Sequence, residues 1–402
     1  MTSIEDVSIR RVLDSRGNAT VEVDVWGDWF FGRCAAPSGA STGRFEAQAL
    51  PQGGAEAAVI TFWKLVAPKV VGMDVRDQAG IDALLREIDG TPNFAKIGGN
   101  VATALSLAVA KAAAHSQGVP LYRYLSGLMP DVLPYPMGNV IGGGRHAVGG
   151  TNIQEFLALA RSDSFSDAAF TNAAVHKAVR DIYLKKKPGA SLGKGDEGAW
   201  VVPVRDEEAL RILADACKKV GKDVGFDVNP ALDVAASELY SKGSYKYGKK
   251  SMKPREQIKF MAGLVETYGL ASVEDPLEQE DFDGYAELTD MVGEECLVVG
   301  DDLFVTNPAR IEEGIERGAA NAVLIKPNQI GTLTDVLRAV RIANSAGYET
   351  IVSHRSGETA DDTIAHLAVA FGSVAIKTGA VGGERISKLN ELMRIEEGLD
   401  GE

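Results

Sequence analysis

Five short apolar runs in the C-terminal part of the chain each end in charged or polar groups: GLASVED, CLVVGDD, NAVLIK, ETIVSHRSG and SVAIK. Counted from Glu274 through Asp301, Lys326 and His354 to Lys377, the steps between these groups are 27, 25, 28 and 23 residues. Each step has the length of one strand followed by one helix. Strands and helices that alternate at this pitch predict a parallel β/α barrel, in which functional side chains lie where the strands end.

The first part of the chain has a different pattern. The stretch TVEVDVWGDWFFG alternates apolar and acidic residues up to a Gly27-Asp28 turn, which predicts an antiparallel hairpin. Two helical patterns follow, at about residues 54–89 with an interruption and at residues 100–117. Strands followed by helices, rather than alternating with them, indicate an α+β unit.

We therefore predict an α/β protein with two domains. A chain of 402 residues exceeds what a single core usually supports, whereas a barrel of about 250 residues with a smaller partner fits this length. The predicted domains are an N-terminal α+β capping domain over residues 1–128 and a C-terminal TIM-like β/α barrel over residues 129–402. Inside the barrel, Asn307 before Pro308 predicts a capped helix start.

The acidic balance of the chain excludes some partners. Its formal net charge of -14, with no basic stripe, argues against nucleic acid and against a membrane surface. The N-terminal residues have no apolar signal core, and Lys111 interrupts the longest apolar stretch, so a cytoplasmic location is expected.

Cys34, Cys217 and Cys296 lie far apart and form no CxxC pair, so neither a disulfide framework nor a zinc site is predicted.

Each strand-end group alone has an ordinary structural explanation, because paired aspartates often cap a loop and a lone lysine often snorkels to solvent. Barrel closure would bring all of them around one pocket, which is harder to attribute to chance. Three of the predicted pocket residues, Asp233, Glu274 and Asp301, supply carboxylate oxygens from different strands with no His or Cys companion. Such a ligand set suits Mg²⁺ rather than Zn²⁺.

The cationic groups predict an anionic substrate. Lys326, Arg355 and Lys377 would supply local positive charge in an otherwise acidic protein. A divalent cation beside a lysine suggests removal of a proton next to a carboxylate, with Lys326 as the base. Burial, the charge of the metal and the neighbouring Lys377 would all lower the pKa of Lys326 and favour its neutral form.

These residues stand within motifs that resemble those of the enolases (phosphopyruvate hydratases), especially the archaeal forms. The resemblance extends from DSRGNATVEV at Asp14 to KLNELMRIEE near the C-terminus, which is essentially the whole chain. SHRSGET together with KPNQIGTLT is highly specific, whereas SGASTG or GDEG alone would be weak. The other matching stretches are PSGASTG, GGGRHAVGGTNIQEF, LDVAASELY, VEDPLEQEDF, GDDLFVTN and IKTGAVGGER.

The resemblance implies the Mg²⁺-dependent, reversible dehydration of 2-phosphoglycerate to phosphoenolpyruvate, with two Mg²⁺ ions in each active site. A lysine or histidine base that works with one or two Mg²⁺ ions is the known pattern of this superfamily. Lys326 would remove the C2 proton, and Glu197 in GDEG would act as the general acid that helps to expel the C3 hydroxide. The resemblance also implies a homo-oligomer, either a dimer or an octamer.

The remaining implied roles concern metal and substrate binding. Asp233, Glu274 and Asp301 would hold the first Mg²⁺, and Ser41 would close over the site and help to hold the second. The implied contacts with substrate, or with the acid, are made by Arg355 and Ser356 (phosphate), Lys377 (carboxylate), His146, Gln154, Glu155 and His354.

Two alternatives remain open from the sequence. A racemase or cycloisomerase of the same superfamily is disfavoured by the lid serine, by HRSG and by the lack of a KxK motif. An inactive scaffold that binds partners is disfavoured by the intact set of ligands, acid and base.

The chain departs from the family at RFEAQALPQGG, where a charged segment is usual, and at Gly142, where asparagine is usual. These changes concern the lid and oligomer contacts more than the reaction.

Overall fold

The computed structural model describes residues 2–40, 42–127 and 132–401. Its N-terminal strands form an antiparallel sheet in the order β1-β2-β3. Inward-facing Val21, Val23 and Val25 are fully buried, and β2 pairs with β3 across the predicted turn, so the expected hairpin is confirmed. The strands are β1 (Asp6–Leu13), β2 (Ala19–Trp26) and β3 (Phe31–Ala35).

The N-terminal helices cover this sheet and confirm the two predicted helical patterns. The first pattern is interrupted by a π-helical turn at Phe62–Val66, with Pro68 in the turn of helix that follows. The alanine-rich α4 lies so close to β3 that a Cβ atom on Gly32 would stand 2.0 Å from the carbonyl oxygen of Ala108. The helices are α1 (Gly54–Thr61), α2 (Ala67–Val70), α3 (Gln78–Asp89), α4 (Gly99–Ser116) and α5 (Leu121–Ser126).

The C-terminal part forms a closed barrel of eight strands, because β15 pairs with β4. Around the barrel the order is β4-β5-β7-β11-β12-β13-β14-β15, and the short β6 pairs with β4 outside this ring. The strands are β4 (Tyr135–Gly142), β5 (Glu155–Ala160), β6 (Trp200–Val201), β7 (Val228–Asp233), β11 (Ser272–Glu274), β12 (Leu297–Gly300), β13 (Ala322–Ile325), β14 (Glu349–Ser353) and β15 (Ala375–Lys377).

The barrel differs in one respect from the all-parallel form that the repeat predicts. Strand β5 runs antiparallel to both of its neighbours, β4 and β7. Only a single 3₁₀ turn, Gly144–His146, lies between β4 and β5 in the chain, so β5 returns beside β4 as in a hairpin. The five runs used for the prediction are β11 to β15, which are parallel to one another.

Helices surround the barrel, and a small antiparallel sheet extends from it. The side chain of Asn307 accepts a hydrogen bond from the backbone of Ala309, which confirms the predicted cap. Among the described helices, none has the length and apolar character needed to cross a bilayer. The helices are α6 (Phe165–Lys186), α7 (Asp206–Val224), α8 (Ala236–Leu239), α9 (Pro254–Tyr268), α10 (Phe282–Val292), α11 (Pro308–Arg317), α12 (Pro327–Ile330), α13 (Leu333–Ser345), α14 (Thr363–Ala370) and α15 (Gly383–Asp400); the small sheet contains β8 (Tyr240–Ser241), β9 (Ser244–Tyr247) and β10 (Lys250–Met252).

Strand register places polar residues together above the apolar interior of the barrel. Asp233 at the end of β7 is the register partner of Glu274 on β11 and of Glu155 on β5. Lys377 at the end of β15 is likewise paired with Ser353 of β14. Because the direction of β5 is reversed, Glu155 is its first residue yet lies at the same rim. Below this level the interior is filled by apolar side chains such as those of Leu157, Ala231, Val299, Leu324 and Ile351.

The N-terminal residues are joined to this rim by backbone and side-chain contacts. Ser38 and Gly357 exchange two backbone hydrogen bonds of 2.7 and 2.8 Å, which form an antiparallel bridge. The half-buried Lys111 on α4 donates a hydrogen bond of 3.1 Å to Asp361. These contacts attach the loop after β14 to the N-terminal sheet and helices.

Candidate active site

One cavity at the carboxyl end of the parallel strands brings together most of the predicted site residues. Glu274 does not line this cavity but lies beside it, in contact with Lys377. Ser41, the predicted lid residue, lies outside the described residues. The predicted residues in the lining are His146, Gln154, Glu155, Glu197, Asp233, Asp301, Lys326, His354, Arg355, Ser356 and Lys377.

Lys377 is the centre of a buried ion-pair network. Its Nζ donates 2.8 Å hydrogen bonds to Oδ2 of Asp233 and to Oε2 of Glu274, and lies 3.4 Å from Oε1 of Glu155. Burial lowers the pKa of Lys377, but the charges of Asp233 and Glu155 outweigh this and raise the pKa well above its usual value. The ammonium group therefore stays charged between three buried carboxylates.

Lys326, the predicted base, is paired with Asp301. Its Nζ donates to Oδ2 of Asp301, while Gln329 donates a 2.8 Å hydrogen bond to Oδ1 of the same carboxylate. Burial lowers the pKa of Lys326, but the charge of Asp301 outweighs it, so the net pKa is raised. This direction is opposite to the one that we expect from the sequence, because the sequence does not reveal the ion pair.

Glu197 faces two histidines and an asparagine from a different side of the cavity. Its Oε2 accepts a 3.0 Å hydrogen bond from Asn139 and lies 3.3 Å from Nε2 of His354. Its Oε1 lies 3.5 Å from Nδ1 of His146, and the same nitrogen is 3.3 Å from Glu155. Burial raises the pKa of Glu197, but the two histidines outweigh it and hold the pKa well below its usual value.

Arg355 lies at a third side of the cavity, where its guanidinium binds Glu46, a residue that the sequence analysis did not predict. Its Nη2 donates to both carboxylate oxygens of Glu46, at 3.1 and 3.0 Å, and its Nη1 donates to Oδ1 of Asn328 at 2.8 Å. The neighbouring Ser356 accepts a 2.6 Å hydrogen bond from the backbone of Ala40. The segment around Glu46 therefore covers the cationic end of the cavity.

The backbone near this rim adopts conformations that non-glycine residues rarely use. Ala235, Asp275, Val305 and Thr306 have φ values of 46°, 42°, 44° and 54°. Each follows a barrel strand closely, and strained conformations of this kind cluster at functional sites. Asp275 accepts hydrogen bonds of 2.9 and 2.8 Å from the backbones of the two residues after β12, Asp301 and Asp302. Burial, reinforced by the charge of Asp301, raises the pKa of Asp275 to about 7.

Two groups of side chains in the described part of the chain bring three potential metal ligands within 4.8 Å of one another. One is His146, Glu155 and Glu197, and the other is Asp275, Asp301 and Asp302. The predicted magnesium ligands do not form such a group, because Lys377 stands between the carboxylates of Asp233 and Glu274. Acidic groups that could bind a metal are therefore present at this rim.

Sequence reasoning missed several groups that contact the predicted residues. Asn139 carries a usable signal, because a polar residue in the middle of a buried strand needs a partner. Asp275 and Asp302 each stand next to a predicted ligand, and we chose only one residue of each acidic pair. Arg385 ends the motif IKTGAVGGER and Glu46 lies in RFEAQALPQGG, but neither motif reveals their partners, which are about 30 and more than 300 residues away in the chain.

The fold and the cavity together define a class of enzyme. A β/α barrel whose strand ends place buried carboxylates, lysines and an arginine around one cavity is suited to bind a small anionic substrate and to move a proton on it. Comparison with family models is consistent with this class. Residues 4–125 match "Enolase, N-terminal domain", and residues 130–402 match "Enolase, C-terminal TIM barrel domain".

Curated relatives extend the match over nearly the whole chain. A protein named "Enolase" from Methanothermobacter thermautotrophicus is 52% identical, with 98% of this chain and 96% of the relative covered. A protein of the same name from Archaeoglobus fulgidus is 52% identical, with 99% of this chain and 98% of the relative covered. Another from Halorubrum lacusprofundi is also 52% identical, with 98% of this chain and 99% of the relative covered. The chain belongs to the enolase family, in its archaeal form. It is a phosphopyruvate hydratase, a hydro-lyase of glycolysis.

Proposed function

We propose that the chain carries out the Mg²⁺-dependent, reversible dehydration of 2-phosphoglycerate with Lys326 as the base and Glu197 as the acid. The observation that carries this proposal is that both side chains line one buried cavity but belong to different networks. Lys326 is paired with Asp301, whereas Glu197 is surrounded by Asn139 and two histidines. Two separate proton-transfer groups suit a reaction in which C2 loses a proton and C3 loses hydroxide.

The carboxylates suit a magnesium site. Asp233, Glu274 and Asp301 would hold the ion, and they offer only the hard oxygen ligands that Mg²⁺ prefers. Asp233 and Glu274 are buried and Asp301 is half-buried, and Oε1 of Glu274 has no hydrogen-bond partner. Mg²⁺ would supply positive charge at the substrate carboxylate as the adjacent carbon loses its proton. The second of the two ions per site would involve Ser41, in line with the family resemblance.

Lys326 must be in its neutral amine form to accept a proton. Its raised pKa depends on Asp301, whereas burial and the positive charges of Arg355 and Lys377 all lower it. Any ligand that engages the charge of Asp301 would remove the main influence that keeps Lys326 protonated. The lowered pKa that the sequence predicts for Lys326 therefore applies when a ligand engages Asp301. Without such a ligand, the ion pair with Asp301 explains why the pKa is raised.

Glu197 needs the opposite adjustment, because a general acid must hold a proton. Burial raises its pKa, and the nearby His354 and His146 lower it. The second carboxylate near His146 is Glu155, whose own pKa is raised by burial and by the charge of Glu197. We infer that Glu155, His146 and Gln154 support the protonation of Glu197 and contact the substrate.

The two ends of the substrate would bind at different cations. Arg355 and Ser356 would hold the phosphate, with His354 next to them, and Lys377 would hold the carboxylate. A phosphate at Arg355 has to replace or share the contact with Glu46, because that carboxylate engages Nη2 through both of its oxygens. Substrate entry therefore requires a movement of the segment around Glu46.

The assignment of base and acid is tested by hydrogen exchange at C2. We expect Lys326→Ala to lose both phosphoenolpyruvate formation and the exchange of the C2 hydrogen in D₂O, because both need the base. We expect Glu197→Gln to lose product formation but to retain exchange, because proton removal precedes the loss of hydroxide. Both are measured by NMR of 2-phosphoglycerate. Exchange at the wild-type rate in Lys326→Ala would show that Lys326 is not the base.

The wider assignments rest on the family. We propose a capping domain over residues 1–128 and a catalytic barrel over residues 129–402, although the boundary itself lies outside the described residues. We also propose a homo-oligomer, dimer or octamer, and a cytoplasmic location, with a small-molecule substrate and no nucleic-acid or membrane partner. The acidic net charge of -14 supports the last point.

A further inference from the structure

Arg385, at the start of α15, has a fully buried guanidinium that no role assigned so far uses. Its Nη1 donates to the carbonyl oxygen of Arg355 at 2.5 Å and lies 3.0 Å from Nδ1 of His354. Its Nη2 donates to the carbonyl oxygens of Ser356 at 2.6 Å and of Asp196 at 3.3 Å. Arg385 therefore connects the loop that carries His354 with the loop that carries Glu197.

The contact with His354 determines which nitrogen of the imidazole carries the proton. A guanidinium has only donors, so Nδ1 of His354 must accept the hydrogen bond from Arg385. A neutral imidazole then has its single proton on Nε2. Burial lowers the pKa of His354 to about 4, so the ring is neutral near pH 7. The Nε2–H group lies 3.3 Å from Oε2 of Glu197.

This arrangement makes the two oxygens of Glu197 unequal. Oε2 accepts a hydrogen bond from Asn139 and faces the Nε2–H of His354, so both of its neighbours are donors. Oε1 faces Nδ1 of His146, 3.5 Å away. A proton on Oε2 would meet two donors, whereas a proton on Oε1 would meet only Nδ1 of His146, which is a donor when that ring carries a proton there. Protonation of Glu197 is therefore directed to Oε1.

We propose that Arg385 is a positioning residue that fixes His354 in the Nε2–H tautomer and thereby directs the acidic proton of Glu197 to Oε1. The proposal rests on the assignment of Glu197 as the general acid. Arg385 acts through His354 and does not touch the reacting atoms. Its hydrogen bonds to the carbonyl groups of Arg355 and Ser356 hold the loop in which His354 stands.

The tautomer is measured without catalysis. Long-range ¹⁵N–¹H correlation NMR of protein labelled at its five histidines distinguishes a protonated from an unprotonated ring nitrogen, and His354→Asn identifies the signals. We expect His354 in the wild type to have an unprotonated Nδ1 and a protonated Nε2. We expect Arg385→Met to show the other tautomer or a mixture. A protonated Nδ1 in the wild type would overturn the proposal, whether or not the variant folds.

The effect on the reaction is measured as the ratio of dehydration to C2 exchange. We expect Arg385→Lys to lower dehydration by roughly 10²-fold, the low end for a general acid, with C2 exchange and KM nearly unchanged. Because Arg385 acts through His354, combining Arg385→Lys with His354→Asn should cost no more than His354→Asn alone. Additive losses in the double variant, or equal losses of exchange and dehydration, would contradict the proposal.

Lys388 supplies a matched control on the same helix. Its ammonium is also buried and donates to the carbonyl oxygen of Thr359, in the loop that carries His354. We expect Lys388→Met to lower stability without changing the ratio of dehydration to exchange, and a changed ratio would contradict a specific role for Arg385. A wild-type protein that did not turn over 2-phosphoglycerate would refute the proposed function instead, and the NMR result would still decide the tautomer.

Discussion

Replacing Lys377 by methionine tests whether its ammonium group holds the acidic rim together. Lys377 lies 2.8 Å from Asp233, 2.8 Å from Glu274 and 3.4 Å from Glu155, and it is 3% exposed as a side chain. The Lys377→Met variant keeps the length of the apolar stem but leaves three buried carboxylates without their cation. Removing one partner of a buried ion pair costs about 3–5 kcal/mol.

The expected cost converts into a melting temperature. Unfolding entropy near 60 °C is about 2.1 cal/mol/K per residue, which for 402 residues gives roughly 0.8 kcal/mol/K. We therefore expect Lys377→Met to melt roughly 4–6 °C below the wild type in excess chelator. Mg²⁺ should raise the melting temperature of the variant more than that of the wild type, because the ion no longer competes with an ammonium group for the same oxygens.

The assay is thermal unfolding followed by circular dichroism, with chelator and with Mg²⁺. Lys388→Met is the control, since it removes a buried ammonium that lies 2.9 Å from Glu358 and has no described contact with Asp233, Glu274 or Asp301. We expect Lys388→Met to lose a similar amount of stability and to show the same Mg²⁺-dependent rise as the wild type. A Lys377→Met variant that melts with the wild type in chelator, or gains no more from Mg²⁺, would refute the reasoning.

Two further predictions concern metal and pH. Chelation should abolish activity, Mg²⁺ should restore it, and Asp301→Asn should raise the Mg²⁺ concentration for half-activation at least tenfold, because a charged oxygen ligand is lost; activity that persists in excess chelator would exclude the metal assignment. Burial lowers the pKa of His176 from 6.5 to about 4. Between these two pH values, His176 therefore binds a proton in the unfolded chain but not in the folded chain. Stability should therefore fall by about 2–3 kcal/mol as pH drops from 7 to 4, and denaturant melts of His176→Gln should show a smaller fall; an identical pH profile would contradict this explanation.

The sequence predicted the fold well because the strand-helix repeat is local. Each run from β11 to β15 carries its own apolar core segment and its own terminal polar group, so position along the chain is enough to place Asp301 or Lys326 at the rim. Strand β5 was not distinguished in the same way, because its direction depends on a short connection from β4 rather than on its composition.

The contacts of the site could not be predicted to the same extent. The pKa of Lys326 depends on whether its ammonium meets Asp301, and side-chain pairing across strands is set by packing that the sequence does not display. The same is true of Glu46, which reaches Arg355 from the N-terminal part of the chain. Residue types and strand ends can be read from the sequence, but the pairing of charges requires the coordinates.

The bridge between Ser38 and Gly357 has a consequence for the modular history of such enzymes. A catalytic loop whose backbone is completed by a strand partner from another part of the chain cannot be transferred with the barrel alone. A duplication or fusion that carried only the barrel gene segment would leave the carbonyl and amide of Gly357 without partners and the loop with His354 and Arg355 unsupported. The capping segment and the barrel are therefore expected to be inherited as a single unit.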